Sequence, residues 1–278
     1  MKDKKISSIT KIQDVLTIKK ETLRIPLIAN IPHSSVHIPS LFRQSILLSH
    51  NDLKQELLLM TDRYTDELFY CVHELGGVSI LYNYSRLAFD PERFEDDDKE
   101  VMASRGMGVI YEKTSSGKNL RNRPSPEERE HLLATYYRPY HRALQIEVED
   151  LLSQFDRCLI LDCHSFPSRP LPYELDQNPF RPDVCLGTDS FHTPEQLTHD
   201  IQRFLSDKGL SSMINRPFSG TYVPLKFYGS DNRVMSIMIE VNRSLYMDEE
   251  TGARLPGFYG VRNIFTDLVT MIAQQYCT

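Results

Sequence analysis

Short apolar runs of strand length recur at residues 25–31, 78–82, 158–161, 184–186 and 235–241, and they constrain the fold more than any other feature of the chain. They are nearly continuous rather than alternating apolar and polar, so both faces of each strand must be buried. Strands in the middle of a mostly parallel sheet have this property. Helix-length patterns lie between several of the runs, which lets the connections cross over as helices and cover the sheet. The predicted class is α/β, with a mixed, largely parallel sheet flanked by helices on both faces. A length of 278 residues without visible linker or internal repeat predicts a single domain over 1–278.

The clearest helix covers residues 125–154. Ser125 is placed to cap it, Pro126 suits the first turn, and Glu128 completes a capping box. Pro139 lies inside this run and cannot donate its backbone hydrogen bond, so a kink or break is predicted there. His141 falls in that disturbed turn, either as a half-buried, hydrogen-bonded histidine or as a substrate contact. A second helix is predicted over 51–75, where Asp62 and Asp66, four apart, share a face. A third covers 194–208, opened by Thr193 and closed by Gly209.

Charge and cysteine content narrow the function. A net charge of −6 without a basic patch argues against nucleic acid and leaves small molecules as the expected partners. No window reaches the roughly 18 apolar residues of a membrane span, and the opening MKDKKISSITKIQDV lacks an apolar leader core. The expected location is the cytoplasm, with no membrane partner. The five cysteines form no CxxC pair, so neither a disulfide framework nor a thiolate zinc finger is expected. Any metal must use histidine and carboxylate ligands. The acidic stretch at 95–100 reads as a solvated loop.

The chemistry gathers where strands end. In parallel sheets, ligands collect beyond the carboxyl ends of the strands. The first run leads into His33, the run in RCLILDCHSFPS (157–168) leads into His164, and Glu240 interrupts the last. With Asp62 and Asp66 as further carboxylates, this set suits zinc. Two imidazoles and one carboxylate leave a fourth position for water, and a separate glutamate takes the proton. Side chains alternate along a strand, so Asp162 shares a side with His164 and Cys163 points away. A thiol or hydroxyl nucleophile, Cys163 or Ser165 with His141 or His33 as base, is the competing chemistry, although the chain has no Gly-x-Ser-x-Gly turn. Arg86, Arg93 and Arg216 offer guanidinium groups for a substrate carboxylate.

Taken in order, IPHSS (31–35), TDRYTDEL (61–68), Ser85 and Arg86 with Asp90 and Arg93, YRPYH (137–141), LDCHS (161–165), RPFSG (216–220), IEVNR (239–243) and LYM (245–247) resemble the N-formylglutamate amidohydrolases. That family is related in fold to zinc carboxypeptidases and aspartoacylases. The resemblance implies a phosphorylase/hydrolase-like, zinc carboxypeptidase-like fold. It also implies zinc-dependent hydrolysis of an N-acyl amino acid, typically N-formyl-L-glutamate to formate and glutamate. Carried onto this chain, His33, Asp62 and His164 would hold zinc, with Asp66 the alternative carboxylate. Glu240 would be the general base and acid, and Arg86, Arg93 and Arg216 would bind substrate. The family's usual Asp-Leu-Asn-Arg-like stretch is Asp90-Pro-Glu-Arg93 here, and Thr221 replaces a second glycine. These changes fall where a side-chain pocket would be built. A small-peptide hydrolase and a non-catalytic metabolite-binding or interaction protein of the same fold are the alternative readings.

Overall fold

The computed structural model describes residues 8–12 and 14–277. Part of the N-terminal stretch read above as lacking a leader core, residues 1–7 and 13, lies outside the described residues. The described residues form an eight-stranded mixed sheet. Its strands are β1 (Ser8–Ile12), β2 (Leu16–Lys20), β3 (Leu27–Ile31), β4 (Val78–Tyr82), β5 (Cys158–Phe166), β6 (Val184–Gly187), β7 (Ser212–Ile214) and β8 (Val234–Asn242). Their order across the sheet is β1-β2-β4-β3-β5-β8-β6-β7. The central four, β4, β3, β5 and β8, run parallel, β1 and β2 add antiparallel at one side, and β6 pairs antiparallel with β8. All five apolar runs became strands. The strands β1, β2 and β7 were not anticipated, because strands at or near the sheet edges are only partly buried and carry no continuous apolar run.

The helices are α1 (Ser40–Ser45), α2 (His50–Met60), α3 (Thr65–Leu68), α4 (Cys71–Glu74), α5 (Pro126–Leu132), α6 (Arg138–Phe155), α7 (Glu195–Asp207) and α8 (Phe258–Tyr276). The two sheet faces bury different clusters. Leu27, Ala29, Leu159, Leu161, Cys163, Ile237 and Ile239 pack under α7 and α8 through Leu197, Ile201, Phe265 and Leu268. On the opposite face Ile28, Cys158, Ile160 and Val234 meet Tyr140, Leu144, Val148 and Leu151 of α6. Each such buried aliphatic side chain contributes about 1.5–3 kcal/mol. Towards the carboxyl ends, this second face turns polar. Continuing the same parity, Asn30 follows Ile28, Asp162 and His164 follow Ile160, and Glu240 stands opposite His164 in the β5–β8 register. One strand thus serves an apolar core on one face and a polar site on the other.

Two predicted helices are remodelled. The 51–75 helix is broken: α2 ends at Met60, Tyr64 takes a left-handed φ of 68°, and the chain resumes as α3 and α4. Asp62 and Asp66 therefore do not share a helical face. The cause is tertiary. Asp62 N–H donates to the carbonyl of His33 at 3.0 Å, and Thr65 Oγ1 donates to the Asp62 carbonyl at 2.9 Å. The 125–154 helix begins with the expected Ser125–Glu128 capping box but passes through a π-helical turn, Leu133–Tyr137, before α6. The wider turn makes room for Pro139, whose ring would otherwise clash with the carbonyl four residues back. The third helix starts one residue late, after Pro194, without a side-chain cap.

Candidate metal centre and active site

The two histidines arrive from adjacent strands. His33 lies just past β3, His164 lies within β5, and both are buried, at 2% and 4% exposure. Their Nδ1 atoms stand 3.3 Å apart. Asp62 Oδ2 completes a triangle, 3.1 Å from His164 Nδ1 and 3.7 Å from His33 Nδ1. Ligand atoms about 2.0–2.1 Å from a tetrahedral zinc stand about 3.3–3.4 Å from one another, so the triangle has the right size. The outer ring nitrogens are held by carboxylates. His33 Nε2 meets Asp90 Oδ1 at 2.8 Å, and His164 Nε2 meets Asp162 Oδ1 at 3.1 Å and Glu92 Oε2 at 3.0 Å. Metal-binding histidines are oriented by just such outer acceptors. His33, Glu92 and His164 also each offer a ligand atom within 4.8 Å of the others, which makes Glu92 a second carboxylate within reach.

Glu92 was not anticipated. It sits in the Asp90-Pro-Glu-Arg93 stretch, noted above only as a departure from the family pattern. Asn30 Nδ2 donates to Glu92 Oε1 at 2.8 Å and to Asp162 Oδ1 at 2.9 Å, and so holds the two acids together. Tyr140 Oη in turn donates to Asn30 Oδ1. Asn30 itself was invisible as a site residue, being one polar residue inside an apolar strand.

Arg243 fastens Asp62. Its Nη2 donates to Asp62 Oδ1 at 2.8 Å and its Nε to Ser165 Oγ at 3.1 Å. Burial by itself would raise the Asp62 pKa, but the two histidines and Arg243 hold it well below the usual carboxylate range. For His164, burial opposes protonation, yet the Glu92 and Asp162 carboxylates raise its pKa well above normal. The shell sets Asp62, Asp90, Glu92, Asp162 and Glu240 against Arg86, Arg93 and Arg243. The carboxylates raise the pKa of His164, and burial raises that of Glu240, so bound protons balance this set without metal, and a divalent cation between the histidines would take their place.

Glu240 is 8% exposed, and its Oε2 has no hydrogen-bond partner among the described residues. Burial, reinforced by Asp62, pushes its pKa up to about 8. A carboxylate kept uncommitted beside a ligand triangle is suited to proton transfer.

The arginines differ in where they lie. Arg86 donates to Asp90 Oδ2 from Nη2 at 2.8 Å and from Nε at 3.2 Å, while Tyr111 Oη donates to the same oxygen at 2.5 Å. Arg93 lies beside it but is looser, 3.5 Å from Asp90 Oδ2 and 3.6 Å from Glu100 Oε1. Arg216 lies apart from the cluster, 66% exposed, with Nε 3.7 Å from Asp176. Asp66 is also outside the triangle.

His141 and Cys163 have structural surroundings. His141 Nδ1 lies 2.6 Å from Tyr222 Oη and its Nε2 2.8 Å from the Pro91 carbonyl. The carbonyl can only accept, so Nε2 carries the proton and Nδ1 accepts from the tyrosine. Burial drops the His141 pKa to about 4. Cys163 packs in the apolar cluster under α7 and α8, where burial pushes its thiol pKa far up. Ser165 accepts from Arg243. All five cysteines are buried and free. The acidic 95–100 segment is solvent-exposed at Asp96, Asp98 and Lys99, while Glu95 pairs with Arg138 at 2.7 Å and Asp97 with Arg129 at 3.0 Å.

The ordered motifs now have a spatial meaning, and comparison with known proteins agrees with them. The family model described as N-formylglutamate amidohydrolase matches residues 25–247, which includes the histidine pair, Asp62, Glu92 and Glu240. The chain belongs to the N-formylglutamate amidohydrolase family. An N-formylglutamate deformylase of Pseudomonas putida is 28% identical over 231 residues, covering 81% of this chain and 83% of its own length. That of Pseudomonas aeruginosa is 26% identical over 244 residues, covering 86% and 88%. The crystal structure of N-formylglutamate amidohydrolase from Ralstonia eutropha JMP134 superposes with a TM-score of 0.83 at 26% identity, covering 94% of this chain and 97% of that one. A gene product of Agrobacterium tumefaciens shares the fold, with a TM-score of 0.65 at 14% identity over 97% and 96% of the two chains. Among the described residues, no helix is long and apolar enough to cross a membrane.

Proposed function

We propose that the protein is a zinc-dependent amidohydrolase that cleaves N-formyl-L-glutamate to formate and L-glutamate. The observation that carries this reading is the triangle of His33 Nδ1, His164 Nδ1 and Asp62 Oδ2 beside the uncommitted Glu240 carboxylate, in a chain of this family. His33, His164 and Asp62 would hold the ion. Zinc, when bound, supplies a Lewis acid that polarises the scissile carbonyl and acidifies water.

The remaining steps belong to side chains. Glu240 accepts a proton from the attacking water as the new C–O bond forms at the formyl carbon. It returns that proton to the amide nitrogen as the C–N bond breaks, so that free amine leaves. A cation at the triangle would draw the Glu240 pKa down from its raised value and ready it to act as a base near neutral pH. Arg93, held only by long ion pairs to Asp90 at 3.5 Å and Glu100 at 3.6 Å, would turn to grip a substrate carboxylate, and Arg86 supports it from the Asp90 side.

The test combines metal analysis with an assay of formate release. Purified protein is expected to hold about one zinc per chain and to release formate from N-formyl-L-glutamate. Glu240→Gln should keep its zinc while kcat falls by about 10²–10⁴-fold. Zinc-loaded protein that binds the substrate without turnover would instead favour the metabolite-binding reading. Full activity in metal-free protein would rule out the zinc mechanism.

A further inference from the structure

We propose that Arg181 reads the side-chain carboxylate of the substrate and thereby gives the site its preference for an acidic acyl amino acid. This rests on the amidohydrolase reading and adds to it a specificity-determining residue.

The position of Arg181 follows from the sheet. Phe166 is two residues past His164 on the same side of β5, and its register partner Asn242 is two residues past Glu240 on β8. The Arg181 guanidinium carbon stands 5.8 Å from the Phe166 ring centroid and 5.7 Å from that of Phe218. Asn242 Nδ2 donates to the Pro182 carbonyl at 3.0 Å, and Asn242 N–H donates to the Asp183 carbonyl at 2.9 Å. The segment carrying Arg181 is thereby pinned across the carboxyl ends of β5 and β8. Phe166 and Asn242 lie one strand repeat, about 7 Å, beyond the His164–Glu240 pair on the same side of their strands, and Arg181 stands against the Phe166 ring.

Its hydrogen bonding is incomplete. The side chain is 1% exposed. Nη2 donates to Glu174 Oε2 and, at 2.9 Å, to the Asp176 carbonyl. Nε and Nη1 are buried and have no partner among the described residues. Buried donors without acceptors are rare and costly, and a guanidinium held in place by two rings and a carboxylate has little freedom to find one elsewhere. A carboxylate delivered by a ligand is the matching acceptor.

The site then has two cationic poles. Arg86 and Arg93 stand on the loop after β4, Arg181 stands beyond β5 and β8, and the histidine pair and Glu240 lie between. An acyl glutamate carries two carboxylates, one for each pole. Arg216, on the outer side of the same loop pair, faces Asp176 and solvent instead.

The test compares N-formyl-L-glutamate with N-formyl-L-glutamine, which has nearly the same shape without the side-chain charge. Steady-state kinetics and calorimetric binding are measured on zinc-loaded wild type, Arg181→Met and Arg181→Lys. Because Arg181→Met strands Glu174 in the interior, the double variant Arg181→Met with Glu174→Gln is included, and thermal melts identify the folded variants. In a folded Met variant, KM for N-formylglutamate should rise about 10- to 100-fold, the loss of one charged hydrogen bond. Values for N-formylglutamine should stay within about threefold, a difference well under one such bond. Arg181→Lys should fall between. A parallel loss on both substrates, or an unchanged preference in a folded variant, would overturn the proposal. If wild type hydrolyses neither compound, the amidohydrolase reading fails by itself and calorimetry still decides Arg181. Selective loss of N-formylglutamate binding upholds the role, and equal binding or none refutes it.

Discussion

Three carboxylates reach His164, from opposite edges of its ring, and that difference separates their roles. Asp62 meets the Nδ1 edge, which also faces His33, whereas Glu92 and Asp162 meet the Nε2 edge. An imidazole that binds metal through one nitrogen donates its other N–H to an acceptor, so the proposed reading takes Glu92 and Asp162 as the acceptors and Asp62 as the ligand. Arg243 reinforces the assignment by occupying Asp62 Oδ1 and leaving Oδ2 towards the histidines. Asp62→Asn should therefore weaken zinc binding by more than about 100-fold, and Glu92→Gln by about 10-fold, the range for an orienting partner. Competition against a chromophoric chelator measures both. The opposite order would make Glu92 the ligand.

The elements that break their own regularity are the ones that aim the site. The stop between α2 and α3 drops Asp62 onto the end of β3, at the cost of a left-handed tyrosine whose hydroxyl is anchored to the Gly252 carbonyl at 2.8 Å. The π-helical turn before α6 points Tyr137 and His141 at the loop that carries Asp90, Glu92 and Arg93. Tyr137 Oη donates to the Arg93 carbonyl at 3.0 Å, and His141 Nε2 donates to that of Pro91 at 2.8 Å. His141 therefore makes this clamp pH-sensitive. Its pKa is about 4 in the fold against an ordinary 6.5, because burial disfavours the charged ring. The unfolded chain binds the proton more readily, so the stabilisation is complete above pH 6.5 and is lost as pH falls towards 4. It is on the order of 3 kcal/mol. Urea unfolding of metal-free protein should show this loss between neutral and mildly acidic pH, and His141→Gln should flatten it. An unchanged slope in the variant would place the titration elsewhere.

At the scale of the whole molecule, the site is a concentration of like charge closed between strand ends and loops. Asp62, Asp90 and Asp162 are all at most 2% exposed, so water does little to relieve their repulsion. Removal of a bound divalent ion should therefore destabilise the protein as well as inactivate it. Chelated protein is expected to melt roughly 5–10 °C lower than protein in excess zinc, and added zinc should restore the difference. A melting temperature indifferent to zinc would mean that the cluster is balanced by its arginines and protonated histidines alone.

What could be read from the chain was local and periodic. The five apolar runs became strands because continuous burial on both faces leaves few other structures, and the parity of RCLILDCHSFPS correctly separated Asp162 and His164 from Cys163. The capping box at Ser125 was equally legible, since its partners lie three residues apart. Contacts between distant segments were not legible. Asp62 sits beside His33 only because a backbone hydrogen bond ends a helix that its own sequence would have continued. Glu92 joins His164 across 72 residues of chain, and Arg181 reaches the site face through a loop pinned by Asn242. The sequence by itself determined the strands and which side each residue faces, because those depend on neighbours. Only the tertiary structure decided which carboxylates and guanidinium groups share the site, because that depends on how the strand ends and loops converge.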